Sequence, residues 1–223
     1  MSIWSRISDA LSALASGEPL SDVFDRLRTP PERSVAFAIA VIALGAKLAK
    51  ADGTVTRDEV RAFREVFIIP ESEEANAARV FNLARQDVAG YDVYARRIAS
   101  LFEDGHEVLH DLMEGLFHIA TADGSYHEAE NEVLLQVATI FGLSEREFRS
   151  LRARSVPDAA PDPYDVLGVT PDMPMAEIRR AWSRAVRESH PDRMIARGVP
   201  EEAVRLAEQR LIAINRAWEE ISA

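Results

Sequence analysis

One nine-residue segment occurs twice in this chain, and it narrows the folds open to it. Ala51-Asp52-Gly53-Thr54-Val55-Thr56-Arg57-Asp58-Glu59 returns 71 residues later as Ala122-Asp123-Gly124-Ser125-Tyr126-His127-Glu128-Ala129-Glu130. Apolar residues correspond on both sides: Leu48 with Ile119, Ala49 with Ala120, Phe63 with Leu134, Val66 with Val137. The flanks follow helical periodicity, so the unit is a duplicated helix–loop–helix. Two copies at this spacing imply pseudo-symmetry inside one domain and not an open solenoid. Helices are expected over roughly 32–50, 56–68, 72–87, 91–103, 105–121, 127–141 and 144–152, and no run of alternating β-branched residues marks a strand. The expected fold class is all-α.

The shared pattern, Asp-Gly-x-(Val/Tyr)-x-x-x-Glu, matches the second half of a calcium-binding EF-hand loop. The first half does not match: loop positions 1 and 3 fall on Leu48 and Lys50 in one copy, on Ile119 and Thr121 in the other. Two readings stand. In one, Gly53 and Gly124 close a helix in the left-handed region, and Thr56 with Glu59 forms a capping box for the next helix. In the other, Asp52, Glu59, Asp123 and Glu130 converge across the pseudo-twofold on one divalent ion. No metal ligand is assigned and no cofactor is expected.

His106-Glu107-Val108-Leu109-His110 satisfies H-E-x-x-H, two imidazoles one helical turn apart with a carboxylate between them, as in zinc peptidases. The extended motif needs glycine three residues and histidine six residues past the second histidine, where Met113 and Leu116 stand. Gly115 and His118 are out of phase, and Asp111 follows where a peptidase helix is normally uncharged. Glu103, Asp104 and Glu114 surround the segment, so a solvated helix face explains it. The chain is not read as an enzyme.

The net charge of −11 argues against general nucleic-acid binding and against a polybasic membrane anchor. It is unevenly spread: residues 162–223 hold 9 arginines and 11 acidic side chains, which leaves −9 for residues 1–161. The absence of cysteine excludes disulfides, thiolate zinc sites and redox thiols, and fits a reducing compartment. A cytoplasmic location is expected. The N-terminus lacks the continuous apolar region of a secretory signal. The longest uncharged run, Ser34 to Ala46, is 13 residues. That falls short of the roughly 20 a spanning helix needs, so no transmembrane segment is expected and the run reads as a buried core helix. Ile3, Trp4, Ile7, Leu11 and Leu14 recur at helical spacing, as a helix that docks on the core or lies peripherally on the inner membrane.

The organisation expected is an N-terminal helix and lead-in over 1–29, the duplicated helical domain over 30–152, a proline-containing linker over 153–161 and a second domain over 162–223. In the last, Asp162 caps a short helix with Pro163 at its first position, and Gly168 ends it. Core candidates are Tyr164, Leu167, Val169, Ile178, Trp182, Leu211, Ile214 and Trp218. Met175 to Ser189 carries Ile178, Trp182 and Ala185 on one side, with Arg179, Arg180, Arg184 and Arg187 around the rest. Glu201 to Ile221 aligns Val204, Leu211, Ile214, Trp218 and Ile221. Pro191 biases its predecessor away from helix, so the first of these helices ends near His190. An antiparallel hairpin follows, with Ser189-His190-Pro191-Asp192-Arg193 as an exposed polar loop at its tip, suited to contact with another protein.

Four ordered blocks carry a resemblance: Tyr164-Asp165-Val166-Leu167-Gly168-Val169, Ile178-Arg179-Arg180-Ala181-Trp182, His190-Pro191-Asp192-Arg193 and Ile214-Asn215-Arg216-Ala217-Trp218. Together they resemble the J domain of DnaJ-type co-chaperones. The stretch from Arg193 to Ala203 lengthens the region after the loop and looks like the DjlA subfamily, whose J domain is C-terminal. The paired Ala-Asp-Gly junctions are similar to the TerB-like helical domain that such proteins carry ahead of it. DjlA-type proteins usually begin with a transmembrane helix, and none is visible here.

The resemblance implies a co-chaperone of protein folding and stress response that stimulates ATP hydrolysis by a DnaK-type partner. His190, Pro191, Asp192, Arg179, Arg184 and Arg193 are the implied partner-binding residues. Asp192 can accept a bidentate contact from a partner arginine, Pro191 stiffens the loop, and the arginines steer encounter. Trp182 stands where tyrosine is usual and Ser183 where lysine is common. A second function class is carried alongside: a divalent-ion or envelope-stress sensor or adaptor whose J domain only recruits the chaperone. The client is not legible, nor is the choice between monomer and homodimer.

Overall fold

The computed structural model describes residues 3–19, 22–23, 26, 32–48, 69, 71–73, 90–102, 106–122, 124, 126–156, 161–203 and 205–223. Its first helices are α1 (Ile3–Ala15), α2 (Glu32–Leu48), α3 (Tyr91–Leu101), α4 (His106–Ala120), α5 (Glu128–Ile140) and α6 (Glu145–Ser155). Then come α7 (Pro163–Leu167), α8 (Met175–Glu188), α9 (Pro191–Arg197) and α10 (Arg205–Ser222), with single 3₁₀ turns at Glu71–Glu73 and Glu201–Ala203. The protein is all-α, with no strand among the described residues. The helix expected over 56–68, most of that over 72–87 and the first Asp-Gly junction lie outside them.

The uncharged run is the hub. Val35 through Leu44 in α2 are at most 2% exposed, and α2 packs against α1, α3, α4 and α5. Such burial all round is what a helix apolar on every face requires. No helix among the described residues is long and apolar enough to cross a membrane. Gly45 sets the approach of α2 to α4, since a Cβ there would stand 2.7 Å from Ile119 Cδ1. α1 lies along α2 with Ile7 fully buried.

α6 begins at a capping box, in which the Ser144 backbone N–H donates to Glu147 Oε2 at 2.6 Å and the Glu147 N–H donates back to Ser144 Oγ at 3.3 Å. It runs to Ser155, three residues past the end read from the sequence and into the stretch read as linker. Tertiary packing outweighs the weak helical signal: Leu151 and Val156 are buried and Arg154 is held by an ion pair. α7 forms as its residues dictate, with Asp162 Oδ1 accepting from Tyr164 N at 2.9 Å, Pro163 at the first position and Gly168 at φ +65 closing the helix.

α7, α8 and α10 enclose a small core of Val166, Leu167, Val169, Ile178, Ile214 and Ala217. Trp182 stacks on Trp218 with ring centroids 5.0 Å apart, and its indole N–H donates to Asn215 Oδ1 at 3.1 Å, joining α8 to α10. Leu211 is only half-buried and belongs to neither core. Val204 lies outside the described residues.

One expectation changes. The hairpin tip is not an irregular loop, because Pro191 opens α9 as its first residue, where a missing N–H costs nothing. The second domain is not self-contained. α9 and α10 pack on α4, and Met194, Val199, Ala203, Leu206 and Ala207 are buried in the core built around α2.

Candidate functional site: the His-Pro-Asp turn and the charges behind it

α8 ends at buried Ser189, whose hydroxyl donates to the Ala185 carbonyl at 2.7 Å. His190 then leaves helical geometry (φ −67, ψ 132) and caps α9 with its own ring: Nδ1 accepts from the Asp192 N–H at 3.2 Å. The His190 carbonyl accepts from the N–H groups of Arg193 and Met194 at 2.9 and 3.2 Å. With Nδ1 an acceptor, the neutral ring carries its proton on Nε2. The carboxylate of Asp192 is 88% exposed, with His190 Nδ1 3.7 Å away. Histidine and proline therefore fix the backbone, and the aspartate offers an exposed carboxylate to whatever approaches.

Arg193 is exposed on α9, and Arg179, Arg184 and Arg187 are exposed on α8. Arg180 pairs with Glu177 at 3.6 Å. The turn and Arg193 thus share one short helix, while the other cations sit on the helix leading into it. Arg184 also lines a cleft of about 420 Å³ between α4 and α6 on one side and α8, α9 and α10 on the other.

Behind the turn lies a set of charges, two of them acids of the helix segment that was read as a solvated face. Asp111 and Glu114 of α4 are buried, at 0% and 7% exposure. Arg197, on α9, donates to Asp111 Oδ2 at 2.8 Å. Arg210, on α10, grips both acids, with Nε 2.8 Å from each Glu114 oxygen and Nη2 2.5 Å from Asp111 Oδ1. Arg154 of α6 reaches Glu114 Oε1 at 3.1 Å and the Val166 carbonyl at 3.2 Å. Burial raises the pKa of Asp111, against the pull of Arg210 and Arg197. For Glu114 burial acts the same way, but Arg210 and Arg154 outweigh it and hold its carboxyl below the ordinary value. Only the i, i+3 spacing of Asp111 and Glu114 among Leu112, Met113 and Leu116 hinted that these acids face inward.

Residues 38–153 match the family model of the tellurite resistance protein TerB, and residues 162–223 match the DnaJ domain. Curated relatives named co-chaperone protein DjlA align along most of the chain. That of Photobacterium profundum is 26% identical over 85% of this chain and 78% of its own length. That of Coxiella burnetii is 28% identical over 78% and 72%. The chain belongs to the DjlA-like family of J-domain co-chaperones. The Escherichia coli K12 relative is 23% identical over 84% of the DjlA-like chain and 79% of its own length. No solved structure matches it.

The other motifs of this DjlA-like protein resolve differently. In the second Asp-Gly junction Gly124 takes φ +83, and Glu130 is buried with its carboxylate accepting the His127 N–H at 2.8 Å. His127 and Glu130 are the counterparts of Thr56 and Glu59, so this copy caps a helix as the first reading has it. Asp52, Glu59 and Asp123 lie outside the described residues. Among the described residues no group of three or more His, Asp or Glu side chains gathers that could hold a metal ion.

The His106 motif lies on α4, where Glu107 is exposed and His110 Nε2 contacts Glu147 Oε1 at 3.2 Å. The solvated-face explanation is corrected for Asp111 and Glu114, which the arginines of α6, α9 and α10 draw inward. Glu103 and Asp104 lie outside the described residues. Burial works against ionisation of Glu147, but hydrogen bonds from Ser144 and His110 prevail and hold its carboxyl down at about 2. The second histidine of the motif is engaged by a helix-capping carboxylate.

Proposed function

We propose that this protein stimulates ATP hydrolysis by a DnaK-type chaperone through His190, Pro191 and Asp192. Arg179, Arg184 and Arg193 steer the encounter, and the N-terminal domain gives targeting or regulation. The protein acts on the partner's catalytic site and has none of its own, and it works in the cytoplasm. One observation carries this reading: an exposed carboxylate stands on a turn whose backbone is already fixed by a proline and by a histidine–amide hydrogen bond. A preformed contact loses little entropy on binding, and a free carboxylate can take a bidentate arginine.

The test is single-turnover ATP hydrolysis by a DnaK-type chaperone, with wild-type protein, with Asp192→Asn and with neither. Stimulation by wild type and loss of most of it in Asp192→Asn is the expected result; equal stimulation by the two would overturn the mechanism.

A further inference from the structure

The short helix α9 has two faces with different duties. Asp192, Arg193, Ile195 and Ala196 point outward, while Met194 is fully buried and Arg197, one turn on, follows it inward. Arg197 spans two otherwise separate places. Its Nη1 donates to the carbonyl of Glu188, the last residue of α8, at 3.1 Å. Its Nη2 donates to Asp111 Oδ2, on α4 of the TerB-matching domain, at 2.8 Å. The carbonyl at the end of α8 is one of those a helix leaves without an internal partner. Glu188 lies two residues before His190, and Arg197 ends the helix that Pro191 begins. A single guanidinium therefore braces both flanks of the turn and ties them to a buried carboxylate of the other domain. Asp111 is itself fixed from its second oxygen by Arg210, so the anchor does not give.

We infer that Arg197 is a positioning residue through which the N-terminal helical domain, by way of Asp111, holds the His190-Pro191-Asp192 turn in its binding-competent shape. This rests on the reading of that turn as the chaperone contact. A planar fork is needed to reach the carbonyl and the carboxylate at once, which a lysine ammonium on one flexible stem cannot do. When the brace is lost, the turn occupies the competent shape only part of the time. Apparent affinity for the partner falls by that fraction, while the bound complex is unchanged.

The test uses the full chain as wild type, Arg197→Met and Arg197→Lys. Hydrogen exchange is followed at the amides of His190, Asp192, Arg193 and Met194, with Ile42 in α2 as reference. ATPase stimulation of a DnaK-type chaperone is titrated alongside. In Arg197→Met the four amides are expected to exchange about tenfold faster with Ile42 unchanged. The co-chaperone concentration for half-maximal stimulation should rise about three- to tenfold at unchanged maximum, in proportion to the competent fraction lost. Arg197→Lys should fall between and serves alone if Arg197→Met does not fold. Wild-type exchange at the four amides in a folded variant would overturn the inference, as would a lowered maximum with unaltered half-saturation. If wild type stimulates no chaperone, the proposed function fails, and the exchange measurement still decides the bracing.

Discussion

Arg210→Met removes the centre of the buried charge network while roughly preserving side-chain length and apolar volume. The Arg210 side chain is 9% exposed, and those of the acids it serves, Asp111 and Glu114, are 0% and 8% exposed. Removing one partner of a buried ion pair costs about 3–5 kcal/mol, because the charge left behind has neither water nor a counter-ion. Each acid here keeps one arginine, Arg197 for Asp111 at 2.8 Å and Arg154 for Glu114 at 3.1 Å. The loss therefore belongs at the low end, about 3 kcal/mol. With a urea slope near 3 kcal/mol/M for a chain of this size, the unfolding midpoint should drop by about 1 M. Urea titration followed by tryptophan fluorescence and far-UV circular dichroism reads this directly. Arg216→Ala on the same helix is the control: its pair with Glu220 is 3.1 Å long but 73% and 48% exposed, and its loss should cost about 0.5 kcal/mol or less. A midpoint for Arg210→Met within about 0.2 M of the control would show that the network is solvated and the argument wrong.

Glu147→Gln probes acid sensitivity. Because the folded carboxyl sits at about 2 against an ordinary 4.5, its contribution is complete above 4.5 and fades as pH falls toward 2. The melting-temperature gap between wild type and variant should narrow over that window, and a gap independent of pH would sink the assignment. Trp182→Phe keeps the stack on Trp218 but loses the bond to Asn215; a loss of about 1 kcal/mol in chemical unfolding is expected, and one above about 3 would mean the indole packs far more deeply. Stimulation of the chaperone should weaken with salt, since exposed arginines are screened within about 8–10 Å at physiological ionic strength; a salt-independent effect would remove them from the encounter. Residues 162–223 alone should show less helix by circular dichroism and melt below the full chain, and equal melting would contradict the shared core.

The helices were legible wherever apolar periodicity coincided with local punctuation. Asp162-Pro163 and Gly168 mark α7 because cap, first-turn proline and left-handed glycine are all local chemistry. The α2 run was legible as core because thirteen uncharged residues have nowhere else to go. The turn was found and the end of α8 near His190 was read correctly from Pro191, but the residues after it were expected as loop where Pro191 opens α9. The buried network was missed for a different reason. Asp111, Glu114, Arg197 and Arg210 are each ordinary surface residues by type. What buries them is a contact across 86 to 99 residues of chain, which periodicity on one helix does not register.

A domain of 62 residues has little core to spend. Among the described residues, six side chains form its own cluster, and five more of its apolar residues are buried against the helices around α2. At about 1.5–3 kcal/mol for each large aliphatic side chain, Met194, Val199 and Leu206 contribute as much as such a domain's whole stability. Apolar contact alone would leave the angle between the two parts loosely set. The arginine forks add what apolar area lacks, since each N–H meets its oxygen in one arrangement only. Exposed Asp192 is thereby held in a fixed relation to α4. A partner of the N-terminal domain would then be presented to the chaperone at a defined orientation, and not on a flexible tether.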